Sequence, residues 1–247
     1  MKIAEGLEML ELPMVARGNE MIIHPVVVYG ENSCVLVDTG MPNCYQAIVN
    51  SLDQAGIPAE GLHAVILTHQ DIDHVGSLPH FLARARQPLD VYAHADDKRA
   101  IDGEVPLLKL PPEMSSAILQ SLPPKERSEY EHAFSSKTGP NVNRVVTDGE
   151  VLPFGGGLRV IHTPGHTPGH ISLYHEASRT LIAGDAMIVE NGELKGPRPQ
   201  VTPDMDEAIR SLKKLTVLPI EIVICYHGGV FKGDVKKRLE ELAASVK

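Results

Sequence analysis

The sequence predicts an α+β protein in which two β-sheets pack together with helices on the outside. Two observations lead to this prediction. Strand-like and helix-like stretches alternate along the chain, as they do in proteins that combine sheets with helices. The pattern also occurs twice, because residues 21–94 and residues 143–246 each begin with short apolar runs and continue with amphipathic stretches. A chain of 247 residues with 43% hydrophobic residues can bury one sizeable core, so we expect a single domain over residues 1–247.

Each element of the first half is predicted by its residue types or by the spacing of its apolar residues. Short β-branched runs predict strands, and apolar residues four positions apart, such as Ile48 and Leu52, predict a helix that Gly56 ends. In chain order the predicted elements are strands at 21–30 and 33–40, a helix at 44–56, a strand at 63–68, a helix at 77–86 and a strand at 89–94.

The middle of the chain differs in composition. Residues 102–143 contain many prolines, amphipathic fragments and no strand-like run, so we expect an inserted segment with one or two short helices. This segment either covers the functional site or is a surface insertion without function. The second half then resumes with strands at 143–154, 157–163, 170–176 and 179–185, a helix at 204–218, a strand at 221–227 and a last helix at 234–246.

Composition and charge argue against several classes of function. The net charge of −9 disfavours nucleic acid or an anionic membrane as a partner. No apolar run approaches the roughly 18 residues that cross a bilayer, and the first residues lack the apolar segment of a signal peptide. Cys34 and Cys225 lie in apolar runs, where a buried free thiol is expected. We therefore expect a cytoplasmic protein that acts on a small molecule.

One short stretch concentrates residues that bind metals. Residues 67–77, LTHQDIDHVGS, contain His69, Asp71, Asp73 and His74 directly after the apolar run LHAVIL. In a turn that follows a strand, this spacing can point ligands toward two adjacent metal positions. Imidazole nitrogens combined with carboxylate oxygens suit zinc, iron or manganese. A solvated acidic loop would not need paired histidines at the end of a buried strand.

Further histidines and an aspartate follow other predicted strands. The stretch HTPGHTPGHIS contains His162, His166 and His170, and its glycines let the backbone come close to an ion or another strand. Asp185 in TLIAGDA and His227 in EIVICYHGG end strands in the same way. Because α/β proteins present functional groups at the carboxyl edge of a sheet, we expect these strand ends to converge on one site.

Five motifs, taken in order, make the chain resemble a known family. VLVDTG, THQDIDHVGS, TPGHTPGH, AGDA and YHGG are similar to the motifs of the metallo-β-lactamase superfamily of hydrolases, which includes glyoxalase II and lactonases. Together they extend over nearly the whole chain. The resemblance implies an αβ/βα four-layer sandwich of two mixed sheets, with a two-metal site at one edge.

The resemblance also implies a role for each candidate residue. It predicts two ligand triads and a bridging aspartate: His69, Asp71 and His166 for the first ion, Asp73, His74 and His227 for the second, and Asp185 between them. It further implies that Asp38 supports the site from behind its ligands and that His170 orients a ligand or a neighbouring strand. Zinc is the expected metal at both positions.

Position 71 departs from the family pattern. The common form of the first motif is HxHxDH, whereas this chain has HxDxDH. The carboxylate of Asp71 makes the first position richer in oxygen, which shifts its preference toward manganese or iron. Its charge should also make the bound ion acidify water less. Iron-using members of the superfamily, the flavodiiron proteins, carry a glutamate at this place.

These residues predict a metal-dependent hydrolase of a small ester, lactone or thioester. A water shared by two cations would lose its proton near neutral pH and attack the substrate carbonyl. Asp73 would orient this nucleophile or pass a proton to the leaving group. The alternative is a non-haem iron oxidoreductase similar to the persulfide dioxygenases or the flavodiiron proteins, which the carboxylate at position 71 favours. Relatives are commonly homodimers, although the sequence itself predicts no oligomeric state.

Overall fold

The structure is a computed structural model that describes residues 1–16, 19–30, 33–57, 59–134 and 140–245. Residues 135–139 of the predicted insertion and residue 246 of the predicted last helix lie outside these ranges. Within the described ranges, no helix combines the length and the apolar character needed to cross a membrane.

Strands and helices alternate along the chain as predicted. The strands are β1 (Lys2–Ala4), β2 (Leu7–Met9), β3 (Leu12–Ala16), β4 (Asn19–Ile23), β5 (Val26–Gly30), β6 (Ser33–Val37), β7 (Ala64–Ile66), β8 (Asp90–His94), β9 (Arg144–Val146), β10 (Val151–Leu152), β11 (Leu158–His162), β12 (Ile171–His175), β13 (Thr180–Ile182), β14 (Ile188–Glu190), β15 (Glu193–Lys195), β16 (Ile222–Cys225) and β17 (Gly229–Phe231). The helices are α1 (Tyr45–Gln54), α2 (Ile72–Val75), α3 (Leu78–Arg84), α4 (Ala95–Ile101), α5 (Pro112–Ser121), α6 (Pro124–Ala133), α7 (Met205–Leu215) and α8 (Val235–Ala243).

Two large mixed sheets organise the described strands. The first has the order β1–β2–β5–β6–β7–β8–β9, and the second has the order β10–β11–β12–β13–β16–β17. In the first sheet β6, β7, β8 and β9 run parallel. In the second sheet β13 and β16 are parallel, and the other neighbours are antiparallel. Since parallel neighbours need long crossovers, helices such as α1, α3 and α7 connect these strands across the outer faces.

Side chains of the central strands alternate between two cores. Val26 and Val28 belong to the core between the sheets, together with Val160 of the second sheet. Val27, which lies between them in β5, belongs instead to the core under α1, together with Ile48. A third core packs α7 and α8 on the outer face of the second sheet. The period of two along each strand therefore produces four layers, and the predicted α+β class and αβ/βα sandwich are confirmed.

The structure differs from the predicted elements in several places, among them α4 and β17, which were not predicted. The strand β9, predicted to open the second half, pairs with β8, so the chain enters the second sheet only at β10. The hairpin β14–β15 was not predicted, although its turn is Asn191–Gly192 with positive φ at both residues, a sequence typical of tight hairpins. The segment 102–143 contains α5 and α6, two short helices as expected.

Candidate metal centre

Loops at one edge of the two sheets bring the predicted ligands together. In the first sheet Asp38 follows β6 and His69 follows β7, and these two strands are parallel. In the second sheet Asp185 follows β13 and His227 follows β16, which are also parallel. Because parallel strands end at the same edge, the loops that follow them lie side by side.

His69, Asp71 and His166 form a first group whose donor atoms lie within 4.8 Å of one another. Asp71 Oδ2 is 3.3 Å from His69 Nε2 and 3.1 Å from His166 Nε2. Asp71 precedes α2 with extended backbone, so its side chain can turn toward the histidines on either side. The group contains the three residues predicted for the first ion.

Asp73, His74 and His227 form a second group of the same kind. Asp73 Oδ2 is 3.3 Å from His227 Nε2 and 3.8 Å from His74 Nε2. Asp185 lies between the two groups, with Oδ2 at 3.3 Å from His166 Nε2 and at 3.4 Å from His227 Nε2. Its other oxygen, Oδ1, is 3.4 Å from His74 Nε2. This is the position predicted for the bridging ligand.

Several donor atoms are buried without a hydrogen-bond partner among the described residues: His69 Nε2, Asp71 Oδ1, His74 Nε2 and Asp185 Oδ1. Leaving a buried polar atom unpaired costs about 1–3 kcal/mol. A cation that takes up these lone pairs removes that cost, and nitrogen and carboxylate donors suit zinc, manganese or iron. The residues present therefore fit a divalent ion, and these unpaired atoms belong to both groups and to Asp185 between them.

Charges in the site shift the pKa values of its members. Burial opposes the charged form of His227, but the carboxylates of Asp185 and Asp73 outweigh it and raise the pKa of His227 to about 9. Burial also opposes ionisation of Asp185, yet the neighbouring His227 and His74 hold its pKa well below the usual range. The site thus favours ionised carboxylates and attracts positive charge, which a metal ion would supply.

Asp38 holds His74 from behind. Its Oδ2 accepts a hydrogen bond from His74 Nδ1 at 2.9 Å, and Thr68 donates from its backbone nitrogen and its hydroxyl at 2.8 Å each. Because Nδ1 of His74 is committed to Asp38, Nε2 is left as the acceptor that can bind a metal. Asp38 has a φ of 62°, so the backbone adopts a strained left-handed conformation at this residue.

His170 contacts the bridging aspartate through its backbone. Its Nδ1 lies 2.8 Å from Thr163 Oγ1, and its Nε2 accepts a hydrogen bond from the backbone nitrogen of Asp185 at 3.0 Å. Burial, together with the nearby His69, keeps the pKa of His170 well below its usual value, so the ring stays neutral. The orienting role of His170 stays a prediction, and the residue that it contacts in this way is Asp185.

The sequence model of the metallo-beta-lactamase superfamily matches residues 19–227. The chain belongs to this superfamily. The probable metallo-hydrolase YflN of Bacillus subtilis is 34% identical over 224 residues, which cover 86% of this chain and 82% of that protein. An N-acyl homoserine lactonase from Bacillus sp is 28% identical over 234 residues, which cover 79% and 77%.

Among solved structures, a metallo-beta-lactamase family protein from Thermus thermophilus matches with a TM-score of 0.71 and 26% identity, covering 98% of this chain and 80% of that one. The predicted family is therefore confirmed, and the chain is a metallo-hydrolase by family.

A lysine from the predicted insertion enters the first ligand group of this superfamily member. Lys109 Nζ lies 2.5 Å from Asp71 Oδ2 and 2.6 Å from His166 Nε2. Nothing in the sequence pattern marked Lys109, because an isolated lysine in a proline-rich segment carries no spacing signal. The predicted insertion therefore reaches the site through Lys109.

Asp97 is a second residue that sequence reasoning missed. It lies in α4, is fully buried, and accepts hydrogen bonds from two different loops. Gln70, between two predicted ligands, donates from its backbone nitrogen at 3.0 Å and its side chain at 2.9 Å. Thr167 Oγ1 donates at 2.7 Å and the Gly169 backbone nitrogen at 2.9 Å. Asp97 therefore ties the ligand loop of one half of the chain to that of the other.

His162 lies apart from the centre, although its motif also contains His166. Its ring stacks on His94 with centroids 3.9 Å apart and 12° between the planes. Together with Asp96 these two residues form a separate, partly exposed group of potential metal ligands. The structure thus divides the histidines of HTPGHTPGH among three roles: a ligand group, a positioning contact and a surface cluster.

Proposed function

We propose that the chain is a metal-dependent hydrolase that cleaves a small ester, lactone or thioester. The observation that supports this most directly is the convergence of two donor groups on Asp185, with buried donor atoms that lack a partner in the described ranges. A divalent ion bound there, zinc in the first instance, lowers the pKa of water and polarises a substrate carbonyl.

Asp73 is the carboxylate best placed to exchange protons with a substrate. Its side chain is 20% exposed, compared with 14% for Asp71 and 9% for Asp185, so it borders the open side of the site. Tyr226 donates a hydrogen bond from its hydroxyl to the backbone oxygen of Asp73, which fixes the backbone at this residue. In the proposed reaction Asp73 orients the attacking water or passes a proton to the leaving group.

An apolar groove next to these loops suits the acyl part of a substrate. The groove has a volume of about 930 Å³, and its lining includes Met21, Met41, Ile118 and Leu122. Met41 belongs to the loop that follows β6. The hairpin β3–β4, which supplies Met21, ends at a bridge between Ile23 and the backbone of His227. Because both walls are continuous with the ligand loops, we infer that apolar acyl groups bind here.

The relative named an N-acyl homoserine lactonase supports a lactone among the candidate substrates. We also propose that the chain acts in the cytoplasm on a small molecule rather than on nucleic acid or a membrane, in keeping with its net charge of −9. The seven predicted ligands suffice for two ions. Lys109 contacts two ligands of the first group and so affects how many metal ions the site can bind.

The test is a hydrolysis panel on protein reconstituted with zinc or manganese. Esters and lactones with acyl chains of increasing length, and one thioester, should be cleaved in a metal-dependent manner. Burial of each additional methylene is worth about 0.8 kcal/mol, so kcat/KM should rise up to about fourfold per methylene until the groove is filled. A panel without metal-dependent hydrolysis would contradict the proposal, and iron as the bound metal together with oxygen uptake would favour the oxidoreductase.

Matched histidine variants complete the test. His227→Gln removes a ligand of the second group, and it should abolish the metal-dependent activity. His63→Gln changes an exposed histidine and should leave the activity unchanged. Equal activity of the two variants would show that the hydrolysis does not depend on this site.

A further inference from the structure

We propose that the ammonium group of Lys109 takes the place of the first metal ion, so that the chain binds a single divalent ion at the second group. This inference rests on the proposed metal-dependent function and changes its stoichiometry. It concerns a residue of the insertion rather than one of the predicted ligands.

Lys109 Nζ contacts two of the three donors of the first group and two backbone oxygens. It lies 2.5 Å from Asp71 Oδ2 and 2.6 Å from His166 Nε2. It also donates hydrogen bonds to the backbone oxygens of His166 at 3.2 Å and of Val201 at 3.1 Å. An ammonium group has three hydrogens and no acceptor, and the four acceptor atoms around Nζ can take up all three hydrogens.

The ammonium group of Lys109 and a metal ion would compete for the lone pair on His166 Nε2. A neutral imidazole has one acceptor nitrogen. His166 Nδ1 lies 3.2 Å from the hydroxyl of Thr202, which can accept its proton and leave Nε2 as the acceptor. That single lone pair can bind Lys109 or a metal ion, but not both. A divalent ion at this point would also lie beside the positive charge of Lys109, which disfavours joint occupancy.

The segment that carries Lys109 is anchored on both sides. The backbone nitrogen of Leu108 donates to Gln70 Oε1 at 2.8 Å, and Gln70 is itself bonded to the buried Asp97. On the other side Leu110 is buried. The backbone on either side of Lys109 is therefore fixed, and it places the side chain next to the first group. This differs from a surface lysine that happens to fold inward.

The charge of Asp71 explains why a lysine is suited to this position. The carboxylate replaces a neutral histidine of the family pattern, and an ammonium group neutralises it at close range. The second group, by contrast, contains Asp73, His74 and His227 with no lysine contact in the described part of the chain. The two positions therefore differ in the cation that they are built to take.

Metal stoichiometry tests the proposal. All the proteins compared, the parent included, carry His94→Asn. This substitution removes one potential ligand of the surface cluster, and the asparagine keeps an acceptor that can cap α4. Zinc bound per chain is measured by elemental analysis after equilibration with buffered zinc. We compare the parent with Lys109→Met, which keeps the length of the side chain and removes its charge, and with Lys125→Met, an exposed lysine of α6 as control.

The parent and Lys125→Met should bind one zinc per chain, and Lys109→Met should bind two. Cobalt provides a second readout, since coupled cobalt pairs and intensified visible absorption are expected only in Lys109→Met. Two zinc ions in the parent would overturn the inference and leave the hydrolase proposal intact. One zinc in both the parent and a folded Lys109→Met would overturn it as well. An absence of bound zinc in every protein would refute the proposed function itself.

A second measurement needs no variant of Lys109. The parent protein is acetylated briefly with and without saturating zinc, and the modification of Lys109 is quantified by peptide mapping. If the ammonium group stays in the first group, its modification should be low and independent of zinc. A clear increase in modification with zinc would mean that an ion displaces the lysine, and it would overturn the inference even if Lys109→Met fails to fold.

Discussion

The hydroxyl of Thr167 donates a hydrogen bond to Asp97 Oδ2 at 2.7 Å, although the two residues are 70 positions apart in the chain. Asp97 lies in α4, directly after β8 of the first sheet, and Thr167 follows β11 of the second sheet. The same carboxylate accepts two hydrogen bonds from Gln70. One buried side chain therefore sets the distance between the loop that carries Asp71 and the loop that carries His166.

Asp97→Asn should destabilise the protein and weaken metal binding. The amide would turn a donor toward a group that already donates, which leaves at least one buried polar group unpaired, and the expected loss is about 2–4 kcal/mol of unfolding free energy. Denaturant unfolding of the metal-free protein measures this loss. The control Asp96→Asn changes the neighbouring residue, which is 55% exposed, and should cost less than about 0.5 kcal/mol. Equal stabilities of the two variants would contradict the proposed role of Asp97.

Asp38→Asn should weaken zinc binding without unfolding the chain. Asparagine tolerates the left-handed backbone at this position, but its amide nitrogen cannot accept the hydrogen bond from His74 Nδ1. Loss of such a partner typically lowers metal affinity by about 10–100-fold. A zinc dissociation constant from chelator competition checks this, with the exposed Asp53→Asn as control. An unchanged constant would mean that Asp38 does not orient His74.

Alanine substitutions at two glycines with positive φ distinguish the cost of backbone strain from the cost of a steric clash. Gly165 precedes His166, and a Cβ atom there would lie 2.2 Å from the backbone nitrogen of Ala208. Gly56 also has a positive φ, but nothing lies within 4 Å of its Cβ position. Gly56→Ala should therefore cost only the strain, about 1–2 kcal/mol. Gly165→Ala should cost more than about 3 kcal/mol, since α7 must also move away.

Thermal and denaturant unfolding of both alanine variants test this comparison. Gly165→Ala should in addition lose metal affinity, because the loop that carries His166 has to shift with α7. Similar unfolding free energies for the two variants would show that the contact with Ala208 is easily relieved.

The metal-free protein should become less stable as the pH rises above neutral. The pKa of His227 is raised to about 9, above the roughly 6.5 of an unfolded chain, so the folded state holds this proton more tightly. The stabilisation is fully present below pH ~6.5 and is lost as the pH rises through about 9. His74, whose pKa is also raised by Asp38 against the effect of burial, adds to the same slope.

Unfolding free energies of chelator-treated protein between pH 6 and 9.5 provide the measurement. A decrease on the order of 3 kcal/mol is expected for a shift of this size. His227→Gln should reduce the slope without abolishing it, because His74 still contributes. A profile that is flat or rises over this range would contradict the assignment of the tightly held proton to these histidines.

Local pattern was enough to predict the layers and the ligand loops. The run of apolar β-branched residues at Val26, Val27 and Val28 predicts a strand that is buried on both faces, and strand geometry then places neighbours in different cores. The motifs around His69 and His166 can be recognised from the sequence because metal-binding residue types recur at short spacing after apolar runs. The division of the ligands into two groups around Asp185 is implied by the family resemblance and stays a prediction, although the structure brings all seven residues together.

Tertiary structure decided the features that depend on residues far apart in the chain. No spacing rule connects Lys109 to Asp71, or Asp97 to Gly169, because each pair meets only after the loops of two sheets and an insertion have packed together. The strand β9 likewise joins the first sheet through its pairing with β8, which hydrophobic period alone cannot specify. Local sequence thus determines which metal-binding side chains follow the strands at the edge of the sheets. Packing determines that Lys109 contacts the group formed by His69, Asp71 and His166.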